Sequence, residues 1–191
     1  MIAYKKAKQV LEAFEEPTAR ARFLVSPVVV LKSVLFDVPH VVYMRFNDFE
    51  NLEELSVPEG HYIRTYHEGD EAIWTQMVNR SFSRLYPCSM NEIRKSSHFD
   101  PDALFFLMHN NRAVGTVYAE HKQNGKSELG LITALCVVPE YQGRKLGRFL
   151  LLYALHNFKS KGFKSVFLDV DQFNAPAIKT YLSLGFKYVG K

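Results

Sequence analysis

The sequence predicts a mixed α/β protein, in which a partly antiparallel sheet carries helices on both faces. Two observations support this class. Hydrophobic residues make up 47% and charged residues 23% of the 191 residues, a balance typical of a soluble globular domain with a real core. From His61 onward, strand-like and helix-like patterns follow one another in the order β-α-α-β-β-β-α-β-α-β.

The first sixty residues differ in pattern from the rest, and we predict them to be an N-terminal extension. Apolar residues at helical spacing between positions 7 and 14 predict a short helix that ends before Pro17. The stretches "RFLVSPVVVLKSVLF" and "HVVYMRF" are rich in β-branched and aromatic residues, which favours strands. A polar segment ending at Pro58 and Gly60 marks the boundary, so residues 61–191 form the predicted main domain.

The first half of that domain contains three strands and two helices. "HYIRTYH" alternates like a strand, and "DEAIWTQMVNRSF" reads as a helix with Asp70 as its expected cap. In "SMNEIRKSSHF", Ser89 and Glu92 form a capping-box pattern for a second short helix. "ALFFLMH" and "AVGTVYAEH" are strands joined by a hairpin-like turn.

The second half alternates strands and helices. "LGLITALCVV" is a long apolar strand, and a short polar turn separates it from a helix that runs to about Lys161. "SVFLDVDQF" is the next strand, "APAIKTYLSLG" is a helix ending at Gly185, and "FKYVG" is a last strand.

The turn between the long apolar strand and its helix has the features of a phosphate-binding site. Gly143 tolerates positive φ and allows an anion to approach the backbone closely. The first amides of the helix have no intrahelical acceptors and lie at the positive end of the helix dipole. Arg144, Lys145 and Arg148 would attract a polyanion. The alternative is an ordinary helix start with a solvated charged face.

Two motifs in this half resemble those of the GNAT family of acyl-CoA-dependent N-acyltransferases, over roughly His61 to Lys191. The first is Gln142-Gly143-Arg144-Lys145-Leu146-Gly147, after a strand and a proline; the second is Asn174-x-x-Ala177-x-x-x-Tyr181-x-x-x-Gly185-Phe186. Lys145 departs from the pattern, since the family usually has a glycine there. A lysine fits if its φ is negative, because the position acts through its backbone amide.

The resemblance implies acetyl-CoA as the acyl donor and direct attack of an amine on the thioester. Tyr181 matches the family's general acid for the departing thiolate, and Asn174 and Ala177 match the cofactor-binding motif. A backbone N–H within Cys136, Val137 and Val138 is expected to meet the oxyanion, beside a bulge that separates this strand from the next. Tyr181 could instead be a core aromatic residue, and Asn174 a helix cap.

The resemblance also implies a general base, since some family members use a carboxylate five residues before the motif asparagine, which here is Asp169. Asp169 and Asp171 share one face of their strand by alternation, and a paired acidic face would hold a cationic acceptor. In the preceding strand, only Thr133 and the flanking Glu128 are alternatives. For the carboxylates, the competing interpretation is ordinary solvated surface. His109 and His121, near hairpin ends, are expected to face solvent.

The composition excludes several other classes. Cys88 and Cys136 have no metal-ligand spacing, so we expect no metal site, no disulfide and a cytoplasmic protein. The net charge of +4 comes from scattered residues, so no nucleic-acid partner is expected. No segment is apolar enough over roughly 20 residues to span a membrane, and no signal peptide is expected.

The expected function is therefore acetyl transfer to a primary amine, on a small molecule or a protein. A homodimer is one alternative for the assembly. The competing function is a non-catalytic acyl-CoA-binding or interaction module on the same fold, and an aminoacyl-transferring relative is a third interpretation. Neither the acceptor nor the acyl chain preference follows from the sequence.

Overall fold

The computed structural model describes residues 41–82, 89–94, 99–123 and 128–189. The predicted helix at 7–14 and the predicted strand at 22–36 lie outside these ranges. The strands are β1 Val41–Phe46, β2 His61–Thr65, β3 Leu104–His109, β4 Arg112–Gln123, β5 Glu128–Val137, β6 Ser165–Asp171 and β7 Lys187–Tyr188. The helices are α1 Glu71–Ser81, α2 Met90–Arg94, α3 Leu146–Ser160 and α4 Ala175–Ser183, with single 3₁₀ turns at Pro101–Ala103 and Pro139–Tyr141.

All described strands belong to one sheet, in the order β2-β3-β4-β5-β6-β1-β7. Strands β5 and β6 are parallel, and every other neighbouring pair is antiparallel. The predicted mixed α/β class is confirmed. Within the described ranges, no helix has the length and apolar character needed to cross a membrane.

Strand β1 comes from the segment predicted as an N-terminal extension, yet it lies inside the sheet. Val41 to Phe46 pair along β6, and Met44 and Arg45 pair with Tyr188 and Lys187 of β7 on the other side. The side chains of Met44 and Phe46 are buried in the main core. Removing this strand would therefore separate β7 from β6 and expose core residues.

Helix α3 covers one face of the sheet at close range. A Cβ atom on Gly115 would lie 2.8 Å from Leu150, and one on Gly130 would lie 2.5 Å from Phe158. Only glycine fits at these two strand positions, because real Cβ contacts are longer. The opposite face carries Tyr118, whose ring packs on Phe99 beside α1 and α2.

Asp70 does not cap α1 in the way the sequence predicts. Its carboxylate accepts hydrogen bonds from the Arg64 guanidinium at 2.6 and 2.8 Å and from the amide of His67 at 2.7 Å. Burial alone would raise the pKa of Asp70, but the hydrogen bonds from Arg64 and His67 outweigh it and lower that pKa. The carboxylate of Asp70 thus bonds to an arginine six residues upstream and not to the first amides of the helix.

Candidate active site

A gap opens in the middle of the sheet, where the two parallel strands separate. Strands β5 and β6 pair only at Leu129–Leu131 with Ser165–Phe167. Beyond this, a bulge places Ala134 and Leu135 opposite a single residue of β4, and Ala134 has a left-handed φ of 51°. A bulge bends its strand and increases the local twist. Residues 132–137 of β5 and 168–171 of β6 therefore border what we call the β5–β6 gap.

The last residue of β5 directs its backbone into this gap. The amide of Val138 donates to the carbonyl oxygen of Val114 on β4 at 2.9 Å. Peptide groups of an antiparallel strand alternate in direction, so the N–H and C=O of Val137 point away from β4. Its carbonyl oxygen accepts from Gln142 Nε2 at 2.9 Å and from Ser81 Oγ at 3.2 Å.

Of the three predicted oxyanion donors, the amide of Val137 has the suitable direction. The amide of Val138 is already used in the β4 pairing, which rules it out. Cys136 is a buried thiol outside any disulfide, in an apolar strand, as the sequence suggests.

The turn before α3 places two residues in the left-handed region. Gly143 has φ 77°, and Lys145, the N-cap residue, has φ 61°. The condition for an easy fit, a negative φ at Lys145, is not met, so this lysine occupies a conformation that glycine adopts more easily. The carbonyl of Lys145 accepts from the amide of Phe149 at 3.0 Å. The amides of Leu146, Gly147 and Arg148 precede this first helical bond and have no acceptor within the helix.

The space beside the two glycines of this turn is open. A Cβ atom on Gly143 would meet nothing within 4 Å, and one on Gly147 would meet only Val137 Cγ2 at 4.0 Å. Neither glycine is therefore required by packing within the described protein. The open space is what a closely bound anion at a helix N-terminus would need.

The three predicted cations differ in their surroundings. Arg148 forms an ion pair with Glu53 at 2.5 Å, so part of its charge is neutralised by the protein itself. The Arg144 guanidinium donates to the carbonyl of Glu140 at 3.2 Å and lies 5.0 Å from the centre of the Tyr141 ring. Lys145 is exposed, and no described carboxylate forms an ion pair with it. Exposed cations add long-range attraction for an anion.

Tyr181 is buried on α4, with its ring 5.9 Å from that of Phe186. Burial, and then the negative charge of Asp169, raise the pKa of its hydroxyl well above the ordinary value. The phenol therefore keeps its proton at neutral pH and can act as a proton donor.

The remaining predicted residues lie at the β6–α4 connection. Asp169 is partly buried in β6, whereas Oδ1 of Asp171 accepts from the amide of Phe173 at 2.8 Å. Asn174 caps α4, because its Oδ1 accepts from the amide of Ala177 at 3.2 Å. The structure thus shows the capping interpretation of Asn174, and it gives Asp171 a role in the turn.

Sequence reasoning missed two groups that support the turn. Ser81, at the end of α1, bonds to Val137 across 56 residues of sequence. His109 does not simply face solvent as predicted, since its Nδ1 lies 3.0 Å from the hydroxyl of Tyr141. Both contacts join elements that are distant in sequence, so no local pattern could have indicated them.

Comparison with known proteins gives a consistent result. Residues 71–186 match the model of the acetyltransferase (GNAT) family. Mycothiol acetyltransferase of Thermomonospora curvata is 34% identical over 142 residues, covering 71% of this chain and 47% of that protein. The homologous protein of Acidothermus cellulolyticus is 32% identical over 169 residues, covering 78% and 52% respectively. The chain thus spans about half the length of these relatives.

Solved structures share the fold. A GCN5-related N-acetyltransferase from Sphaerobacter thermophilus superposes with a TM-score of 0.65 at 24% identity, covering 78% of this chain and 48% of that one. The ribosomal-protein-S18-alanine N-acetyltransferase from Escherichia coli superposes with a TM-score of 0.55 at 23% identity, covering 65% and 76%. At these identities the likeness concerns the fold alone.

Proposed function

This chain belongs to the acetyltransferase (GNAT) family, and we propose that it transfers an acetyl group from acetyl-CoA to a primary amine. One observation carries the proposal: β5 and β6 stop pairing after Leu131 and Phe167, which opens a gap that ends at Val137, beside the N-terminus of α3. The gap exposes the backbone of β5, and the amides provide an anion site at one end of it. Tyr181 provides a proton donor.

The residues of the turn would hold the donor. The diphosphate of CoA would accept hydrogen bonds from the amides of Leu146, Gly147 and Arg148, with Arg144 and Lys145 adding positive charge. The pantetheine arm carries amides that can pair with the free backbone edge of β5 in the gap. Asn174 and Ala177 would shape the far wall of the gap through the start of α4.

The transfer would proceed by direct attack, with no covalent enzyme intermediate. The amine nitrogen forms a bond to the thioester carbonyl carbon, and the negative charge on the carbonyl oxygen is met by the amide of Val137. The carbon–sulfur bond then breaks, and Tyr181 gives its proton to the departing thiolate. The tyrosinate regains a proton from solvent, and the amine loses one, so the products are an amide and free CoA.

Asp169 is the proposed base for the amine. A primary amine with a pKa of ~10.4 is mostly protonated at neutral pH, so a proton must be removed before attack. Asp169 is partly buried in the part of β6 that borders the β5–β6 gap, which supports its placement beside the reacting atoms. It could accept the proton directly or through a water molecule. Asp169→Asn should lower kcat while leaving the affinity for CoA unchanged.

The acceptor is the finer part of the proposal. Two of the relatives are named mycothiol acetyltransferase. The amine that those enzymes acetylate therefore belongs in the first panel of acceptors to be tested. The decisive assay measures release of free thiol from acetyl-CoA with this substrate, polyamines, amino acids and peptide amines. Amine-dependent thiol release supports the enzyme. CoA binding without thiol release for any amine would favour the non-catalytic module instead.

Three sequence predictions about the whole protein remain to be tested. These are the domain boundary near residue 60, the homodimer and the cytoplasmic location. Because β1 lies inside the sheet, we expect a chain beginning at residue 61 to lose stability. Light scattering of the full chain at several concentrations decides between a monomer and a dimer.

A further inference from the structure

Two histidines and a tyrosine form a contiguous group beside the turn that precedes α3. His61 on β2 and His109 on β3 face each other across the strand pair, with ring centres 4.6 Å apart. His109 Nδ1 lies 3.0 Å from the hydroxyl oxygen of Tyr141, and the two ring centres are 5.4 Å apart. The group thus links the edge of the sheet to the 3₁₀ turn Pro139–Tyr141.

His61 has a defined orientation within this group. Its Nδ1 lies 2.7 Å from the carbonyl oxygen of Glu59, which can only accept, so Nδ1 carries the proton and donates. Its Nε2 is buried and has no hydrogen-bond partner in the described part of the protein. His61 therefore acts as a packing surface that holds the ring of His109, and the polar contact to the turn comes from His109.

Tyr141 connects this group to the proposed anion site. It directly precedes Gln142, whose side chain orients the Val137 carbonyl. The face of the Tyr141 ring supports the Arg144 guanidinium at 5.0 Å. The Tyr141 ring therefore acts together with the hydrogen bond from Arg144 to the Glu140 carbonyl in fixing this cation of the turn. The described hydrogen bonds of the turn backbone leave that ring free to rotate about its own side-chain bonds.

We propose that His109 is a positioning residue for CoA binding, acting through its hydrogen bond to Tyr141. The bond holds the Tyr141 ring where it presents Arg144 to the phosphates of CoA. The inference rests on the proposed function, since it assumes that CoA binds at this turn. His109 lies on β3, which β4 and β5 separate from β6 and its Asp169, and it takes no part in the chemistry.

The test compares His109→Phe and Tyr141→Phe with wild type in steady-state kinetics. Each variant keeps an aromatic ring at its position and loses the hydrogen bond. We expect the KM for acetyl-CoA to rise by about threefold to tenfold, the effect of one hydrogen bond on a binding equilibrium. The kcat at saturating acetyl-CoA and the KM for the amine should stay unchanged, because only CoA binding uses the turn.

Two controls separate positioning from general stability. Tyr62→Phe removes a hydroxyl that donates to Asn111 at 3.2 Å on the same sheet edge, without contact to the turn, and should leave all constants unchanged. His109→Asn keeps a polar side chain that can bond to Tyr141 and should restore much of the affinity. The double variant of His109→Phe and Tyr141→Phe should be no worse than either single variant, because both break one bond.

The outcomes also distinguish this inference from the proposed function. If wild type does not bind CoA in a calorimetric titration, the proposed function fails. If wild type binds CoA and His109→Phe binds it equally well, or if both single effects add in the double variant, His109 does not position the turn. A fall in kcat in step with melting temperature would likewise overturn the inference.

Discussion

The two ends of α3 differ in whether the protein itself satisfies the terminal backbone groups. At the C-terminal end the backbone closes on itself: the amides of Lys161, Gly162 and Phe163 donate to carbonyls of the last turn at 3.2, 3.0 and 3.0 Å. Lys161 also lies 3.7 Å from Asp100. At the N-terminal end, no side chain caps the helix, and the N-cap residue Lys145 is held in the left-handed region.

The difference shows which end serves stability and which serves binding. A helix end that is capped by its own chain needs nothing else. The N-terminal end of α3 has open amides and glycines that no packing requires. It also holds a non-glycine residue at positive φ, and this strain costs free energy in the unbound protein. Helix α4 makes the same point, because Asn174 caps its N-terminus and thereby removes an anion site there. Of these two N-termini, that of α3 has no side-chain cap and is open to a ligand, whereas that of α4 is capped.

The largest expected effect is a fall in kcat without a change in CoA binding at the open N-terminus of α3. Tyr181→Phe removes the proposed proton donor while both ends of α3 stay intact. We expect kcat to fall by about 10²–10⁴-fold, the usual contribution of general acid catalysis, with little change in CoA affinity or melting temperature. Rapid-quench measurement of the chemical step is the assay. A purely structural tyrosine would give the reverse pattern, with normal kcat and reduced thermal stability.

The wild-type pH profile offers a check on the same residue. Because burial and Asp169 raise the pKa of Tyr181 above its ordinary value of about 10, its hydroxyl stays protonated throughout the usual assay range. The kcat should therefore show no decline attributable to loss of this proton below about pH 10. A decline that appears between pH 7 and 9 and disappears in Tyr181→Phe would contradict the raised pKa.

The next effect concerns the open end itself. Gly147→Ala should leave folding unchanged or slightly improved, since its Cβ would meet only Val137 at 4.0 Å and alanine favours helix. The added methyl group would project into the open space beside this turn. We expect the CoA dissociation constant to rise by about threefold to tenfold, measured by calorimetry. Unchanged affinity would mean that CoA does not approach this glycine.

The closed end should respond in stability alone. Gly162 has φ 82° with open space around it, so Gly162→Ala adds backbone strain without a clash. We expect a loss of about 1–2 kcal/mol in the free energy of unfolding, from the cost of the left-handed conformation. Urea denaturation measures this loss. The affinity for CoA should stay at the wild-type value. A parallel loss of affinity would contradict the assignment of the C-terminal end of α3 to stability alone.

The smallest expected effect is a gain in stability, opposite in sign to the loss expected for Gly162→Ala. Lys145→Gly should stabilise the fold by about 0.5–1 kcal/mol, because relief of the left-handed strain exceeds the added entropy of the unfolded chain. Thermal or urea unfolding measures it, with Asn111→Gly, at a φ of 60° in the β3–β4 turn, as the matched control. The affinity for CoA should fall less than about fivefold, the limit for an exposed charge pair. Destabilisation by glycine would show that Lys145 is not strained.

Local patterns were sufficient for most of the fold and for the position of the turn before α3. Gly143 indicated the turn because glycine is favoured at positive φ, which is a local property of the backbone. The alternation around Asp169 and the spacing from Asn174 to Tyr181 are also local. The left-handed φ of Lys145 was not predictable, since lysine has no preference for it and the surrounding strand and helix impose it.

Long-range contacts account for the other differences. Strand β1 was recognisable as a strand, but its place between β6 and β7 depends on pairing with residues more than a hundred positions away. Asp70 looked like a cap, yet Arg64 on the preceding strand takes its carboxylate. His109 meets Tyr141 only after the sheet and the turn have formed. In each case a partner distant in the fold decided the outcome.

The most direct test of the central claim uses one substitution at both ends of α3. Gly143 and Gly162 have nearly equal φ values, 77° and 82°, and a Cβ atom added to either glycine would meet nothing within 4 Å. Gly143→Asp and Gly162→Asp should therefore cost similar stability. In calorimetric titration with CoA, Gly143→Asp should raise the dissociation constant at least about tenfold, by steric block and charge repulsion of phosphate, while Gly162→Asp stays at the wild-type value. Equal affinities in two folded variants would contradict the assignment of the open helix end as the CoA site.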